Sequence, residues 1–147
     1  MSRITPESTI NILLVEDDEV DILNIKRAFK KNNITNPLYF AGNGLEALEM
    51  LRGVDKQPSV IPEYRRLILL DLNMPRMNGI EFLQELRADP RLKSIPVVVL
   101  TTSAAEQDRV EASQLNVAGY LLKPVQFSEF VELTAVLNKY WMLPKML

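Results

Sequence analysis

The chain has no cysteine and no histidine in its 147 residues, and only 5 glycines. Without cysteine there is no thiol nucleophile, disulfide, zinc–thiolate site or iron–sulfur cluster. Without histidine there is no imidazole base, no Ser–His pair and no imidazole metal ligand. No apolar run approaches the ~18 residues that a membrane span requires. The segment from Met1 to Ile10 is polar and lacks the apolar region of a secretion signal, so the expected location is the cytoplasm and the sequon Asn33-Ile34-Thr35 reads as chance. Charge of one sign is not in excess either, with 17 basic and 19 acidic residues and a net charge of -2. A nucleic-acid-binding domain would usually carry a basic face, so neither nucleic acid nor membrane is an expected partner. The chemistry still open uses carboxylates, lysine, hydroxyls, backbone groups or a hard cation held by oxygen.

Five short apolar runs are present: Ile12 to Val15, Leu38 to Ala41, Leu67 to Leu70, Pro96 to Leu100 and Tyr120 to Leu122. Three of them show no polar alternation, which predicts strands buried on both faces within a parallel sheet. The segments between them carry helical spacing: Asp18 to Lys31, Gly44 to Arg52, Gly79 to Ala88, Ala104 to Leu115 and Phe127 to Trp141. The first has acid at its start and Lys30-Lys31 at its end, in the sense that suits the helix dipole. The fourth holds few large apolar residues, Val110 and Leu115, and is expected to pack weakly. Strand–helix alternation of this kind folds as a doubly wound α/β sheet with right-handed crossovers. The Pro-containing stretch from Gly53 to Arg66 is long for a helix-to-strand connection and reads as a functional insertion or a mobile loop.

Open α/β sheets bind ligands beyond the carboxyl ends of their strands. Those ends carry Glu16-Asp17-Asp18 after the first strand, Asp71-Leu72-Asn73 after the third, Thr101-Thr102-Ser103 after the fourth and Lys123-Pro124 after the fifth. Carboxylates gathered on one rim repel one another unless an ammonium or a divalent cation lies among them, and Mg²⁺ suits an oxygen-only site with room for phosphate oxygens. Taken singly these residues have plain structural readings: Asp18 as a helix cap, Thr101 as a cap for the next helix, Lys123 as a loop lysine and Tyr120 as a half-buried strand aromatic.

Together, Leu14-Val15-Glu16-Asp17-Asp18, Leu69 to Gly79 with Asp71, Val97 to Thr102, and Gly119 to Pro124 resemble the response-regulator receiver domain. The resemblance implies a five-stranded, flavodoxin-like sheet of strand order 2-1-3-4-5. It implies Asp71 as phosphoacceptor, taking a phosphoryl group from a histidine kinase or a histidine phosphotransfer protein. Glu16, Asp17, Asp71 and the backbone carbonyl of Asn73 would hold Mg²⁺, or Mn²⁺ or Ca²⁺ in its place. Lys123 would pair with Asp71 at rest and with the phosphoryl group afterwards, and Lys123-Pro124 resembles a cis-peptide site. Thr101 would donate its hydroxyl to the phosphoryl group, with Tyr120 as the switch aromatic that follows it. Such a protein is no enzyme beyond its own phosphorylation and dephosphorylation. Two departures stand out: Glu16 replaces the commoner Asp, and Asn73 and Ser103 occupy positions that influence hydrolysis of the acyl phosphate. Neither is an acid or base suited to directing water, which predicts an intermediate lifetime.

Other readings accompany this one. Gly42-Asn43-Gly44-Leu45-Glu46-Ala47 fits a loose dinucleotide pattern, with Glu63 at the distance of a ribose-binding acid. A haloacid-dehalogenase-like hydrolase also uses an Asp after an apolar strand, and a receiver without phosphorylation would act as a binding module only. The stretch after Lys123 holds one helix and a tail, so the expectation is a single receiver domain over 1–147 with its core at about 10–142. Its output would be protein contact or onward phosphotransfer. In the last helix Phe127, Phe130, Val131, Leu137 and Trp141 are expected to face the sheet, and Leu133, Val136 and Tyr140 to form a second apolar strip that suits a homodimer. The long loop, the Ile95 to Ser103 segment and Tyr140-Trp141 resemble single-domain regulators of phytochrome kinases.

Overall fold

The computed structural model describes residues 9–146 apart from 55–56, 73, 75–76 and 124–125, with side chains as far as residue 139. Five strands and five helices alternate: β1 Asn11–Val15, α1 Glu19–Lys31, β2 Leu38–Ala41, α2 Gly44–Arg52, β3 Arg66–Asp71, α3 Gly79–Ala88, β4 Val97–Thr101, α4 Ala104–Ala112, β5 Gly119–Leu122 and α5 Phe127–Met146. The strands are parallel and lie in the order β2-β1-β3-β4-β5. This is the expected doubly wound, flavodoxin-like sheet.

The continuous apolar runs are explained by two cores, one on each face of the sheet. On one face Leu13, Val15, Ile68, Leu70, Val97 and Val99 pack with Leu48, Leu51, Phe82, Leu83 and Leu86 of α2 and α3. On the other, Ile12, Leu14, Leu67, Leu69, Val98 and Leu100 pack with Ile25, Ala28 and Phe29 of α1 and with Phe130 and Leu137 of α5. Successive strand residues thus alternate between two apolar layers, and each face of the central strands is dry.

Each of the first four helices begins on a side chain that satisfies its free N–H groups. Asp18 accepts from Val20 and Asp21, Asn43 from Glu46, and Ser103 from Glu106, while Asn78 and Glu81 form a reciprocal capping box. Asp18 is therefore the cap of α1 and not its first residue. Within α1, Val20 and Leu23 are exposed, and Ile25, Ala28 and Phe29 form its buried face. Several other expectations shift. α4 ends at Ala112, because Ser113 caps it and Gln114 turns into the left-handed region at φ 58, so Leu115 reaches the core from the following loop. In α5, Phe127 is 38% exposed and Leu133 packs against the second core, which leaves Val136 as the exposed member of the expected strip. The side chains of Tyr140 and Trp141 lie outside the described residues.

The connection from Gly53 to Arg65 is pinned at both ends. Gly53 takes φ 83, a conformation that favours glycine. Ile61 is fully buried in the first core. The buried Arg66 donates from Nε to the Pro62 carbonyl at 2.7 Å and from Nη2 to the Ile61 carbonyl at 2.6 Å, the Leu51 carbonyl at 3.2 Å and Ser59 Oγ at 3.2 Å. Burial lowers the pKa of this guanidinium. Four acceptors offset that cost by fixing the loop to the end of α2. Arg66→Met is expected to lower the unfolding free energy by about 2–4 kcal/mol, since it strands buried carbonyls as well as removing charged donors. The measurement is the denaturant midpoint, and an unchanged midpoint contradicts the assignment.

Candidate functional site

The sheet register brings the predicted acids together. Val15 pairs with Leu70, so the next residues, Glu16 and Asp71, emerge side by side at the carboxyl ends of β1 and β3. Both are buried, Glu16 at 0% and Asp71 at 2% exposure, while Asp17 is exposed. Each of Glu16, Asp17 and Asp71 offers a carboxylate oxygen within 4.8 Å of those of the other two. Glu16 Oε1 accepts from the Asp18 backbone N–H at 3.1 Å, which fixes the carboxylate, and Oε2 faces the Lys123 ammonium at 2.9 Å. Three carboxylates converging on one point, two of them buried, make an oxygen-only donor set that fits a hard divalent cation. Asn73 lies outside the described residues.

Lys123 crosses to this cluster. Its ammonium is 2.8 Å from Asp21 Oδ2, 2.9 Å from Glu16 Oε2 and 3.6 Å from Asp71 Oδ2. The expected resting pair with Asp71 is thus the longest of three contacts. Asp21, in the first turn of α1, is a partner that sequence reasoning missed. Its position five residues after Glu16 puts it one turn into α1 beyond the capping Asp18, and only the fold turns it toward the fifth strand's loop. Burial, the largest influence, pushes the Glu16 carboxyl up to about 7, helped by the Asp71 charge and opposed by the Lys123 ammonium. Burial alone would lower the lysine pKa, and the carboxylates of Asp21, Glu16 and Asp71 together reverse this, so the lysine pKa lies above its ordinary value. The ammonium stays charged because the acids that need it surround it. The Lys123 backbone N–H donates to the Thr101 carbonyl at 2.7 Å, which ties the lysine's loop to the end of β4. The Lys123–Pro124 peptide lies outside the described residues.

Thr101 ends β4, buried, with its hydroxyl 3.5 Å from the Leu121 carbonyl. Tyr120 is half-buried on β5 and packs against the first core. Burial raises its phenol pKa, with the Glu111 charge adding to the rise. A second feature escaped the sequence analysis. Glu106, buried in α4, accepts from the Thr102 backbone N–H at 3.1 Å and from its hydroxyl at 2.5 Å. It fastens the residue after Thr101 to a helix that has few buried side chains.

The loop after β3 depends on Gly79. A Cβ there would lie 2.7 Å from Leu72 Cα and 3.0 Å from the Asp71 carbonyl oxygen, so α3 starts directly against the segment that carries the buried acid. The dinucleotide-like stretch has a structural explanation. Asn43 caps α2, the Gly42 N–H donates to Glu46 Oε2 at 3.2 Å, and the Gly44 N–H donates to the Met77 carbonyl at 3.3 Å. A Cβ on Gly44 would meet Met77 Cγ at 2.8 Å, so this glycine is accounted for by the close packing of Met77 against the turn. Glu63 forms an exposed ion pair with Arg91 instead.

Comparison with known proteins agrees with this geometry. The response regulator receiver domain family matches residues 12–135. Response regulator Rcp1 of Synechocystis sp. is 36% identical over 132 residues, which is 89% of this chain and 88% of Rcp1. The solved Mn²⁺-bound form of Rcp1 superposes with a TM-score of 0.73 at 36% identity, over 90% of this chain and 94% of the other. The phosphorylated cyanobacterial phytochrome response regulator RcpA superposes with a TM-score of 0.78 at 34% identity, over 91% and 94% of the two chains. The bacteriophytochrome response regulator RtBRR gives a TM-score of 0.73 at 38% identity, over 86% and 76%. Neither the hydrolase nor the dinucleotide-binding reading has support beside these matches. A buried acid at the end of the third strand, flanked by two further acids and a lysine on a 2-1-3-4-5 sheet, belongs to a response regulator receiver domain of two-component signalling, the family of which this chain is a member.

Proposed function

We propose that Asp71 accepts the phosphoryl group and that its charge change switches a protein-interaction surface. Receiver domains take the group from histidine kinases. One observation carries the reading: Asp71 lies buried between carboxylates that fit a cation and a lysine ammonium 3.6 Å away. An Asp71 carboxylate oxygen attacks phosphorus, the P–N bond of the donor's phosphohistidine breaks, and the imidazole leaves with a proton from solvent. These 147 residues hold no histidine, so the phosphohistidine lies outside them. Glu16, Asp17, Asp71 and the Asn73 carbonyl would hold Mg²⁺, or Mn²⁺ or Ca²⁺. The cation, when bound, offsets the charge that spreads over the transferring oxygens. Lys123 contacts a phosphoryl oxygen, Thr101 turns its hydroxyl from the Leu121 carbonyl toward the same group, and Tyr120 follows it into the vacated space.

The phosphorylated RcpA and bacteriophytochrome RtBRR likenesses support a phytochrome-type histidine kinase as donor. Among the described residues no helix is long and apolar enough to cross a membrane, which agrees with a cytoplasmic place beside such a kinase. The chain acts as one receiver domain, by protein contact or onward phosphotransfer. A homodimer through the α5 region would cover Val136, which is 58% exposed.

Incubation with acetyl phosphate and Mg²⁺ is expected to add one phosphoryl group to the wild type, read by intact mass. Chelator or Asp71→Asn abolishes the gain, and equal labelling of the Asn variant contradicts the reading. Ser103 Oγ caps α4, accepting from the Glu106 N–H at 3.3 Å, and like Asn73 it is neither an acid nor a base suited to directing water. The acyl phosphate should persist for minutes in Mg²⁺, followed by loss of the added mass, and decay within seconds would contradict this. Sedimentation at micromolar concentration is expected to give the mass of two chains, and a monomer mass with and without acyl phosphate overturns the dimer.

A further inference from the structure

Lys123 has a partner that the phosphoryl-transfer reading leaves without a role. An ammonium carries three N–H donors and accepts nothing. Around it lie Asp21 Oδ2 at 2.8 Å, Glu16 Oε2 at 2.9 Å and Asp71 Oδ2 at 3.6 Å. The two near partners differ in kind. Glu16 belongs to the set of three carboxylates close enough to hold a cation, and Asp21 does not. A cation drawing on Glu16 competes with Lys123 for one carboxylate, whereas the contact with Asp21 is shared with nothing else in that cluster. Asp21 is also fixed independently of the lysine, because it sits in the first turn of α1 and its backbone N–H is held by the capping Asp18 at 3.2 Å. The side chains of the pair are only 15% and 18% exposed, so solvent weakens their attraction less than at an open surface.

We propose that Asp21 is a positioning residue for the phosphoryl group: it tethers the Lys123 ammonium beside Asp71 before the group arrives. This rests on the reading of Asp71 as phosphoacceptor. A lysine stem has four carbons and much rotamer freedom, and freezing it when the ligand binds subtracts from the affinity of the contact. A lysine already held by Asp21 has lost that freedom beforehand. Asp21 acts as a tether and not as a competitor, because the ammonium it holds is already 3.6 Å from Asp71 Oδ2. An oxygen bound to phosphorus on Asp71 extends further from the acid, so it can come within hydrogen-bond range without the lysine leaving Asp21.

Two measurements on the full chain test this. The first is made with Mg²⁺ and no phosphoryl mimic, so that the cation draws on Glu16 and Asp21 is left as the lysine's near partner. In the wild type the two Cε protons of Lys123 are expected to give separate NMR signals, as an ordered stem requires, and in Asp21→Ala they merge. The second is calorimetric affinity for beryllofluoride with Mg²⁺, a mimic of the phosphoryl group. Asp21→Ala is expected to weaken it about tenfold, the effect of losing one charge-assisted contact. Asp21→Asn, which keeps an acceptor, falls between, and it also serves if the Ala variant does not fold. Separate Cε signals in the variants, an unchanged affinity, or a tighter one each overturn the tether. Failure of the wild type to bind beryllofluoride would instead remove the phosphoacceptor reading on which the tether depends.

Discussion

Two buried carboxylates side by side are the constraint around which this molecule is arranged. Glu16 and Asp71 emerge from adjacent strands, both almost without solvent contact. In an interior of low polarizability such a pair is tolerated only if a counter-charge is close or a proton is retained. The chain supplies the counter-charge from its far end, through Lys123, and the Glu16 carboxyl pushed up to about 7 records how incomplete that compensation is. The unsatisfied remainder is what a divalent cation and a phosphoryl group can use. A site balanced in this way responds strongly to one added charge, which is the property a phosphorylation switch needs.

The fold delivers that arrangement by register. Parallel strands of matched length, buried on both faces, end on one rim, and the polar residue after each apolar run is carried there without a dedicated support. The supports lie one layer further out. Gly79 lets α3 start against the Asp71 segment, the Asp18 N–H holds Glu16 and its side chain caps α1, and Glu106 binds Thr102 next to Thr101. α4 is the helix most weakly buried in the sheet, with Glu106 and Val110 as its buried residues. A displacement of Thr101 therefore reaches a helix that little else restrains.

Much of this was legible in the sequence because burial on both faces leaves an unbroken apolar run, and a run that ends in acid marks a strand end at the rim. Strand identity, order of elements and the acids, lysine and hydroxyl of the site follow from that one pattern. Other features were hidden for physical reasons. Asp21 reads as an ordinary acid in the first turn of a helix, since its value depends on a lysine 102 positions later. Arg66 reads as the last residue of the Pro-containing connection, although it opens β3 and holds the carbonyls of the loop behind it. A helix face was misjudged where an apolar residue stands at a helix start, as Phe127 does. Periodicity alone does not tell which end of a helix overhangs the sheet.

The most direct test of the account is the chemical identity of the phosphorylated residue. After incubation with acetyl phosphate and Mg²⁺, borohydride reduction converts an aspartyl phosphate to homoserine, which peptide mass spectrometry places in the chain. The account predicts homoserine at position 71 and nowhere else. Reduction at Asp17, spread over several acids, or a stable phosphate on Ser or Thr would contradict it.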